Sequence, residues 1–446
     1  MNEHSYSWHP QATSLLTDHY ELTMLQAALR AGTASRRSVF EVFTRRLPHG
    51  RRYGVFAGVG RVLEGLEQFR FTDEQLRFLR DTGVVDAATV AYLENFRFTG
   101  QIRGYAEGET YFPHSPLLSV ESSFAEACVL ETYILSVLNY DSAVASAASR
   151  MVGAAGDRPC IEMGSRRAHE QAAVAAARAA VVAGFESTSN LEAGYRYGVR
   201  TVGTAAHSFT LLHDSEEQAF RAQLDALGVS TTLLVDTYDV ERAVRLAVDI
   251  AGPDLGGVRL DSGDLVTQAA SVRALLDKLG NPNTRITVTS DLDEYAIAAL
   301  RAVPVDSYGV GTRLVTGSGA PTSSMVYKLV SREGASGTME PVAKASSGKA
   351  SVGGEKYALR RRSAEGLATH ELVGISHEPH DDGDDRPLLV DYVTGGELHD
   401  GFTGPEGVQR ARRRHAESVA ELPRAARRLS EGEPVIPTVI EPGTAH

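Results

Sequence analysis

The sequence predicts an α/β protein in two parts: a parallel sheet, open or closed into a barrel, and a separate α+β layer. A length of 446 residues exceeds what one ordinary hydrophobic core needs. Between about residues 195 and 330, short β-branched runs alternate with amphipathic helical stretches, which is the pattern of a parallel sheet. Roughly the first 120 residues instead alternate short helices with aromatic, glycine-bearing strands, which is typical of an α+β layer.

Composition and charge exclude several classes of protein. Hydrophobic residues make up 42% and charged residues 23% of the chain, as in soluble globular proteins. No apolar run reaches the roughly 18 residues of a membrane span, and the N-terminus has no secretory signal pattern, so we expect a cytoplasmic protein without a membrane partner. The net charge of −12 argues against nucleic acid as a partner. Two cysteines, Cys128 and Cys160, cannot build a four-thiolate zinc site.

Two helices are predicted upstream of the alternating region. One covers about residues 122–151, and an alanine-rich helix follows an N-cap at Ser165 and ends at Gly184. This places Arg166 and Arg167 in the first turn of the second helix, where the helix dipole disfavours cations. An arginine pair at an unfavourable position indicates that the side chains bind an anionic ligand.

Polar residues follow the ends of successive predicted strands of the parallel sheet. Because ligands bind at the carboxyl ends of parallel strands, we expect these residues to converge on one site. In chain order they are Thr204 with His207, Asp236, Asp261 with Ser262 and Asp264, Ser290 with Asp291, and the turn from Gly309 through Gly311 to Thr312.

Each of these residues also has a purely structural interpretation. His207 could be a structural histidine at a strand end. Asp261 and Asp264 could cap the helix that follows, or they could share a Mg²⁺ ion with substrate phosphates and waters. The glycine turn before Thr312 could be an ordinary tight turn, or its backbone N–H groups could bind a phosphate.

Nine segments resemble, in order and in spacing, the nicotinate phosphoribosyltransferase family. They are LLTDHYELTM, FTRRLPHGRRYGVFAG, EMGSRRAHE, GFESTSN, GTAAHSF, LLVDTYD, GVRLDSGDL, YGVGT and VYKLV, between about residues 15 and 330. The resemblance implies the fold of the type II phosphoribosyltransferases. On that basis we expect an irregular α/β barrel over residues 126–344 and an α+β sandwich domain built from residues 1–125 and 345–446.

The same resemblance implies an activity and its substrates. The reaction is an ATP-coupled transfer of the 5-phosphoribosyl group of 5-phosphoribosyl 1-diphosphate (PRPP) to nicotinate, which gives nicotinate mononucleotide and pyrophosphate in NAD salvage. The phosphorylated histidine of the family falls on His207. The nicotinate contacts fall on Tyr20, Thr204 and Arg259.

Further expectations concern the sugar diphosphate, the metal and the assembly. The diphosphate contacts fall on Arg166 and on the turn at Gly311 and Thr312. Mg²⁺ is the expected cofactor, with Asp261 as a catalytic residue and Asp261 and Asp264 as candidate ligands. The resemblance also implies a homodimer with shared active sites, because the segment around Tyr20 approaches the partner subunit's barrel in this family.

Three alternatives share this architecture. A nicotinamide phosphoribosyltransferase would not need Arg259 to pair with a carboxylate. A quinolinate phosphoribosyltransferase has no phosphohistidine and usually more basic residues, for two carboxylates. A non-catalytic binding protein on the same scaffold is disfavoured, because every motif residue with an expected function is present.

Overall fold

The protein is described by a computed structural model over residues 12–344 and 351–441. Within these residues every helix is too short or too polar to cross a membrane. The strands are β1 (Arg37–Thr44), β2 (Gly54–Val55), β3 (Gln101–Tyr105), β4 (Thr110–Tyr111), β5 (Leu118–Ser123), β6 (Cys160–Glu162), β7 (Ser187–Thr188), β8 (Thr232–Leu234), β9 (Gly257–Leu260), β10 (Arg285–Ser290), β11 (Ser307–Val310), β12 (Met325–Glu333), β13 (Met339–Pro341), β14 (Lys356–Arg362), β15 (Ala368–Ile375), β16 (Arg386–Pro387), β17 (Leu389–Thr394), β18 (Glu397–Leu398) and β19 (Thr438–Glu441). The α-helices are α1 (His19–Ala31), α2 (Val59–Glu67), α3 (Asp73–Asp81), α4 (Ala87–Glu94), α5 (Phe124–Cys128), α6 (Glu131–Ala155), α7 (Glu170–Val182), α8 (Leu191–Tyr197), α9 (His207–Leu212), α10 (Glu216–Leu227), α11 (Val240–Ala251), α12 (Leu265–Lys278), α13 (Glu294–Leu300), α14 (Thr312–Val315) and α15 (Gly404–Glu421).

The chain forms two compact units. The first unit comprises Met1–Ser146 and Ala320–His446, and the second comprises Ala147–Gly319. Both boundaries lie inside the range, residues 126–344, that the sequence assigned to the barrel. The first half of α6 belongs to the first unit because the Ser146 hydroxyl accepts a hydrogen bond from the Val55 backbone N–H at 2.9 Å. Residues 1–11, 345–350 and 442–446 of the expected sandwich lie outside the described residues.

The first unit is built on mainly antiparallel sheets to which both ends of the chain contribute, with one parallel pair, β15 and β19. Its largest sheet has seven strands in the order β13-β12-β1-β5-β3-β17-β18. Strand β1 lies inside this sheet and is buried at every position after Arg37. The rings of Phe40 on β1 and Tyr327 on β12 stack with their centres 4.8 Å apart, so the core joins the two ends of the chain directly.

The second unit is a half-barrel of six parallel strands in the order β7-β6-β11-β10-β9-β8. Its strands are short and rich in β-branched residues, and helices connect them, which buries the sheet as expected for parallel strands. A further parallel bridge joins Thr188 of β7 to Thr201. The predicted α/β class is confirmed, and the carboxyl ends of all six strands meet at one edge of the half-barrel.

Two helix predictions need correction. The helix expected over residues 122–151 is divided into α5 and α6. The helix expected to start after Ser165 starts at Glu170, because the Ser165 hydroxyl accepts a hydrogen bond from the Asn190 side-chain amide at 2.9 Å instead of capping. Residues Ser165–Arg167 form a separate 3₁₀ turn. The argument from an unfavourable helix dipole at Arg166 is therefore wrong, and an anion-binding role must rest on other contacts.

Candidate active site

The second unit has a cavity of about 440 Å³ at the carboxyl ends of its parallel strands. The walls are short segments that follow β6, β7, Thr201, β9, β10 and β11, so residues distant in sequence converge there as predicted. The lining residues are Met163, Ser165, Arg166, Arg167, Ser189, Val202, Gly203, Thr204, Ala205, Ala206, Arg259, Asp261, Thr289, Ser290, Asp291, Gly309, Gly311 and Thr312.

A buried carboxylate fixes the loop that carries the two exposed arginines of the cavity. Glu162, the last residue of β6, accepts hydrogen bonds from the Gly164 backbone N–H and from the Thr188 hydroxyl. Burial raises the pKa of Glu162 above its usual value. A Cβ on Gly164 would lie 2.2 Å from a methyl group of Val315, so only glycine fits there. The 3₁₀ turn that follows thus has a rigid base.

Arg166 and Arg167 project from this turn with exposed side chains. Neither forms an ion pair with any of the described residues. Arg166 is nevertheless close enough to Arg259 to lower the pKa of that guanidinium. Two positive side chains without counter-charges therefore lie on one wall of the cavity, together with a third on β9.

Arg259 combines a strong hydrogen bond with an unsatisfied donor. Its Nη1 donates to the Thr204 hydroxyl at 2.6 Å, and its buried Nε has no hydrogen-bond acceptor in the described residues. Burial lowers the pKa of Arg259, while the carboxylates of Asp261 and Asp236 oppose that shift. A guanidinium still carries its charge under such a shift. An anionic ligand in the cavity would satisfy both the charge and the free donor.

His207 begins α9 and lies beside two carboxylates. Its Nδ1 is 3.1 Å from the Thr237 hydroxyl. Its Nε2 is 3.9 Å from Asp236 Oδ1 and 3.9 Å from Asp261 Oδ2. The imidazole side chain is 38% exposed, so it is held by neighbours yet open to a ligand. His207 does not itself line the cavity, but its neighbour Asp261 does.

Asp236 and Asp261 form a connected pair at the ends of β8 and β9. Asp236 Oδ2 accepts hydrogen bonds from the Asp261 backbone N–H at 2.8 Å and from the Ser262 hydroxyl at 2.7 Å. Its other oxygen, Oδ1, is buried and has no hydrogen-bond donor in the described residues. Asp261 accepts a hydrogen bond from the Thr289 hydroxyl and keeps 32% of its side chain exposed. This pair offers carboxylate oxygens to a cation or to a proton on His207.

Asp264 has a different environment from Asp261. It is the N-cap of α12 and accepts hydrogen bonds from the Thr267 hydroxyl at 2.6 Å and from the Thr267 backbone N–H at 3.3 Å. These hydrogen bonds lower the pKa of Asp264. Of the two roles left open by the sequence for the aspartates, helix capping is the one that the geometry of Asp264 supports, whereas Asp261 does not cap a helix.

The remaining sequence-predicted residues fall in two places. Gly311 and Thr312 line the cavity, in the turn between β11 and α14. Tyr20 lies in α1 of the first unit and is 45% exposed. Partial burial and the nearby carboxylates of Glu131 and Glu21 raise the pKa of Tyr20 to about 12, so its hydroxyl stays protonated.

Two important residues were given no role by the sequence analysis. Asp236 was noted at a strand end but was not assigned a role, although it is 3% exposed and lies beside His207. Glu162 gave no signal as a buried acid, although it ends a strand in the same way as Asp236. Position at the end of a parallel strand placed Asp236 near the site, and the same signal would have found Glu162.

Comparisons with known proteins agree with this geometry. Residues 15–139 match the model of the nicotinate phosphoribosyltransferase (NAPRTase) N-terminal domain. Nicotinate phosphoribosyltransferase pncB1 of Mycobacterium tuberculosis is 56% identical over 438 residues, which cover 95% of this chain and 94% of the relative. The nicotinate phosphoribosyltransferase of Bacillus subtilis is 37% identical over 337 residues, which cover 74% of this chain and 69% of the relative.

Solved structures give the same result. The crystal structure of human nicotinic acid phosphoribosyltransferase aligns with a TM-score of 0.82 and 27% identity, covering 95% of this chain and 97% of the human chain. A half-barrel with an arginine-lined cavity and a histidine beside two carboxylates fits these relatives, which are phosphoribosyltransferases. The chain belongs to the nicotinate phosphoribosyltransferase family, which confirms the resemblance and the fold predicted from the ordered motifs.

Proposed function

We propose that the strand-end cavity transfers the 5-phosphoribosyl group of PRPP to nicotinate, and that phosphorylation of His207 couples the transfer to ATP hydrolysis. The products are nicotinate mononucleotide and pyrophosphate, as in the salvage route to NAD. The observation that carries the proposal is the combination, in one cavity, of Arg259 with a free donor and of Arg166 and Arg167 without ion pairs in the described residues, with His207 next to Asp261 of the cavity wall.

Arg259 and Thr204 are the proposed contacts of nicotinate. The buried Nε of Arg259 lacks an acceptor among the described residues, and the carboxylate of nicotinate supplies one. Thr204 holds the guanidinium in place through its 2.6 Å hydrogen bond. A neutral amide would leave the charge of Arg259 uncompensated, so this wall favours nicotinate over nicotinamide.

Arg166 and Arg167 are the proposed contacts of the diphosphate of PRPP. The turn at Gly311 and Thr312 is also proposed to contact a phosphate group of PRPP. During the transfer the C1–O bond to pyrophosphate breaks and leaves its electron pair with pyrophosphate. The pyridine nitrogen of nicotinate forms the new C1–N bond with its own lone pair, so no proton is removed and no general base is needed. The two arginines stabilise the charge that develops on the departing pyrophosphate.

His207 is the proposed phosphate acceptor from ATP. The carboxylates of Asp236 and Asp261 favour a proton on Nε2, which leaves the lone pair on Nδ1, the nitrogen beside Thr237. Attack by that lone pair on the γ-phosphorus forms the N–P bond and releases ADP. Later hydrolysis of the phosphohistidine returns the free imidazole.

Mg²⁺ is the proposed cofactor, and the residues present fit it. Asp236 has a buried carboxylate oxygen without a donor in the described residues, and Asp261 is partly exposed on the cavity wall. One or two carboxylates together with substrate phosphates and waters make up the usual Mg²⁺ environment. Asp261, with Asp236, would therefore hold the ion, which would neutralise phosphate charge, whereas Asp264 is engaged in capping α12.

The proposed assembly is a homodimer with shared sites. Tyr20 and Met24 lie on α1, and Leu16 lies three residues before its start; Leu16 and Met24 are also exposed, at 55% and 37%. Exposed apolar side chains on one short segment suit a protein interface. We assign to Tyr20 the ring-stacking contact with nicotinate bound in the partner subunit. The proposed compartment is the cytoplasm, where PRPP and ATP are both available.

The decisive assay is pyrophosphate release with PRPP and Mg²⁺, comparing nicotinate, nicotinamide and quinolinate, each with and without ATP. We expect turnover of nicotinate and stimulation by ATP. Preferred turnover of either other acceptor would overturn the assignment of Arg259. Binding of PRPP without any pyrophosphate release would favour a non-catalytic role.

A further inference from the structure

The first unit contains a second cavity, of about 340 Å³, which we call the arginine pocket. Four arginines line it, Arg386, Arg410, Arg413 and Arg414, together with Glu107 and Glu417. Glu107 is already compensated, because it accepts hydrogen bonds from the backbone N–H groups of Gly58 at 2.6 Å and Gly60 at 3.0 Å. The side chains of the pocket therefore carry excess positive charge in a protein whose net charge is −12.

Arg386 is the fixed wall of the arginine pocket. Its side chain donates hydrogen bonds to Glu109 at 2.8 and 3.1 Å and to Glu421 at 2.7 and 2.9 Å. These four hydrogen bonds hold the guanidinium in place. Glu109 is fully buried; burial alone would raise its pKa, but Arg360, Arg386 and Arg414 lower it to about 2. The back of the pocket is thus a permanently ionised, rigid network.

Arg414 is held more loosely than Arg386. Its nitrogens lie 3.1 Å from Glu417, 3.4 Å from Glu109 and 3.9 Å from Glu421. The nitrogen 3.4 Å from Glu109 is the buried Nε, which forms an ion pair with that carboxylate but no hydrogen bond in the described part of the chain. Arg414 is therefore paired with its carboxylates less tightly than Arg386 is, and an anion in the pocket would add to these contacts.

Arg410 and Arg413 are not neutralised by any acidic side chain of the described residues. The Arg410 guanidinium lies 4.1 Å from the centre of the Phe402 ring, which leaves its N–H edges free for an anion. Arg410, Arg413 and Arg414 are spaced i, i+3 and i+4 on α15, so they share one helix face. Like charges at these spacings repel each other, and an anion between them would remove the repulsion.

We propose that the arginine pocket binds a small phosphate-bearing anion at a site separate from the strand-end cavity. Arg410, Arg413 and Arg414 make the contacts, and Arg386 holds the rear wall. The cavity is large enough for such a ligand and too small for a folded partner. The class includes phosphate esters and pyrophosphate, so the pocket is suited to sensing the reactants or products of phosphoryl chemistry.

The test is the number of inorganic pyrophosphate molecules bound per full-length chain, measured by isothermal titration calorimetry without divalent metal. We expect two in the wild-type protein and one in Arg166→Gln. In the Arg166→Gln background, Arg410→Gln with Arg413→Gln should weaken the remaining site by at least about tenfold. Arg412→Gln, a neighbour on α15 that does not line the pocket, should change it less than about twofold. Circular dichroism and the Tm would verify that each variant is folded.

Three results would overturn the proposal. The first is that the wild-type protein binds only one pyrophosphate and that Arg166→Gln abolishes this binding. The second is equal weakening by Arg412→Gln and by the Arg410 and Arg413 changes, which would indicate only a general effect of charge. The third is unchanged binding after Arg410→Gln and Arg413→Gln. The two proposals can fail separately. If the proposed transferase site is wrong, Arg166→Gln will not remove a pyrophosphate site. The Arg410 and Arg413 variants would still test the arginine pocket, because it lies outside the strand-end cavity.

Discussion

Replacing Arg259 by glutamine should abolish the discrimination between nicotinate and nicotinamide. Arg259 Nη1 is committed to Thr204 at 2.6 Å, and the buried Nε awaits an acceptor. A hydrogen bond to a charged group contributes about 1.5–3 kcal/mol, and truncating one partner of a buried charge pair costs about 2–5 kcal/mol. We therefore expect a loss of about 2–4 kcal/mol for nicotinate, which is a rise in Kd of roughly 30- to 900-fold. Nicotinamide has no charge to lose and should change by less than about threefold.

The assay is competition binding of the two acceptors to the protein with PRPP present. In Arg259→Gln the Kd of nicotinate should approach that of nicotinamide. Arg285→Gln is the matched control, because Arg285 is the exposed first residue of the neighbouring strand β10, at the opposite end of the sheet from the cavity. Equal losses for both acceptors would refute the carboxylate pairing and would indicate that Arg259 acts on PRPP or on folding.

Three further predictions concern the phosphate acceptor, the metal and pH. His207→Ala should abolish labelling of the protein by γ-phosphate-labelled ATP and keep slow ATP-independent product formation. The control variant His213→Ala, at the other end of the same helix, should be labelled normally. Labelling of the His207→Ala protein would mean that another residue accepts the phosphate. Asp261→Asn should raise the Mg²⁺ concentration for half-maximal activity by about tenfold. Asp264→Asn should mainly lower the Tm, because it removes a helix cap. The reverse pattern would assign the metal to Asp264. Burial lowers the pKa of His415 to about 4, whereas a histidine in the unfolded chain has a pKa near 6.5. As the pH falls, the unfolded chain therefore binds the proton first. The free energy of unfolding should fall by about 3 kcal/mol between pH 6.5 and 4. Urea denaturation of His415→Gln should show a smaller fall over that range, and an identical slope would contradict the assignment.

The sequence predicted the site best where position along a strand decides position in space. Asp261, Asp291 and Thr312 follow three separate strands, and all three line one cavity. The prediction works because parallel strands place their carboxyl ends at a common edge, whatever the length of the helices between them. The same rule included Asp236, which follows β8 and Val235, but the residue type alone did not assign it a role beside His207.

Local side-chain competition explains where sequence reasoning failed. Ser165 has the residue type of an N-cap, but its hydroxyl is taken by Asn190, which lies 25 residues later in the chain. Asp264 has the type and spacing of a metal ligand, but both of its oxygens accept hydrogen bonds from Thr267. In each case a hydrogen bond selects one of two roles that the residue type permits, and only the folded geometry shows which partner is within reach.

The charge of the whole protein and the charge of the two arginine-lined cavities have opposite signs, and ion pairing explains how both are possible. The chain carries 57 acidic and 45 basic side chains. On helix surfaces arginines are neutralised by acids one turn away, as Arg221 is by Glu217 at 2.8 Å and Arg245 by Glu241 at 2.7 Å. Arg166 and Arg413, in different cavities, have no such partner in the described residues. An acidic protein can therefore bind anions at chosen points, because ion pairing is local: it neutralises some arginines and leaves others available for ligands.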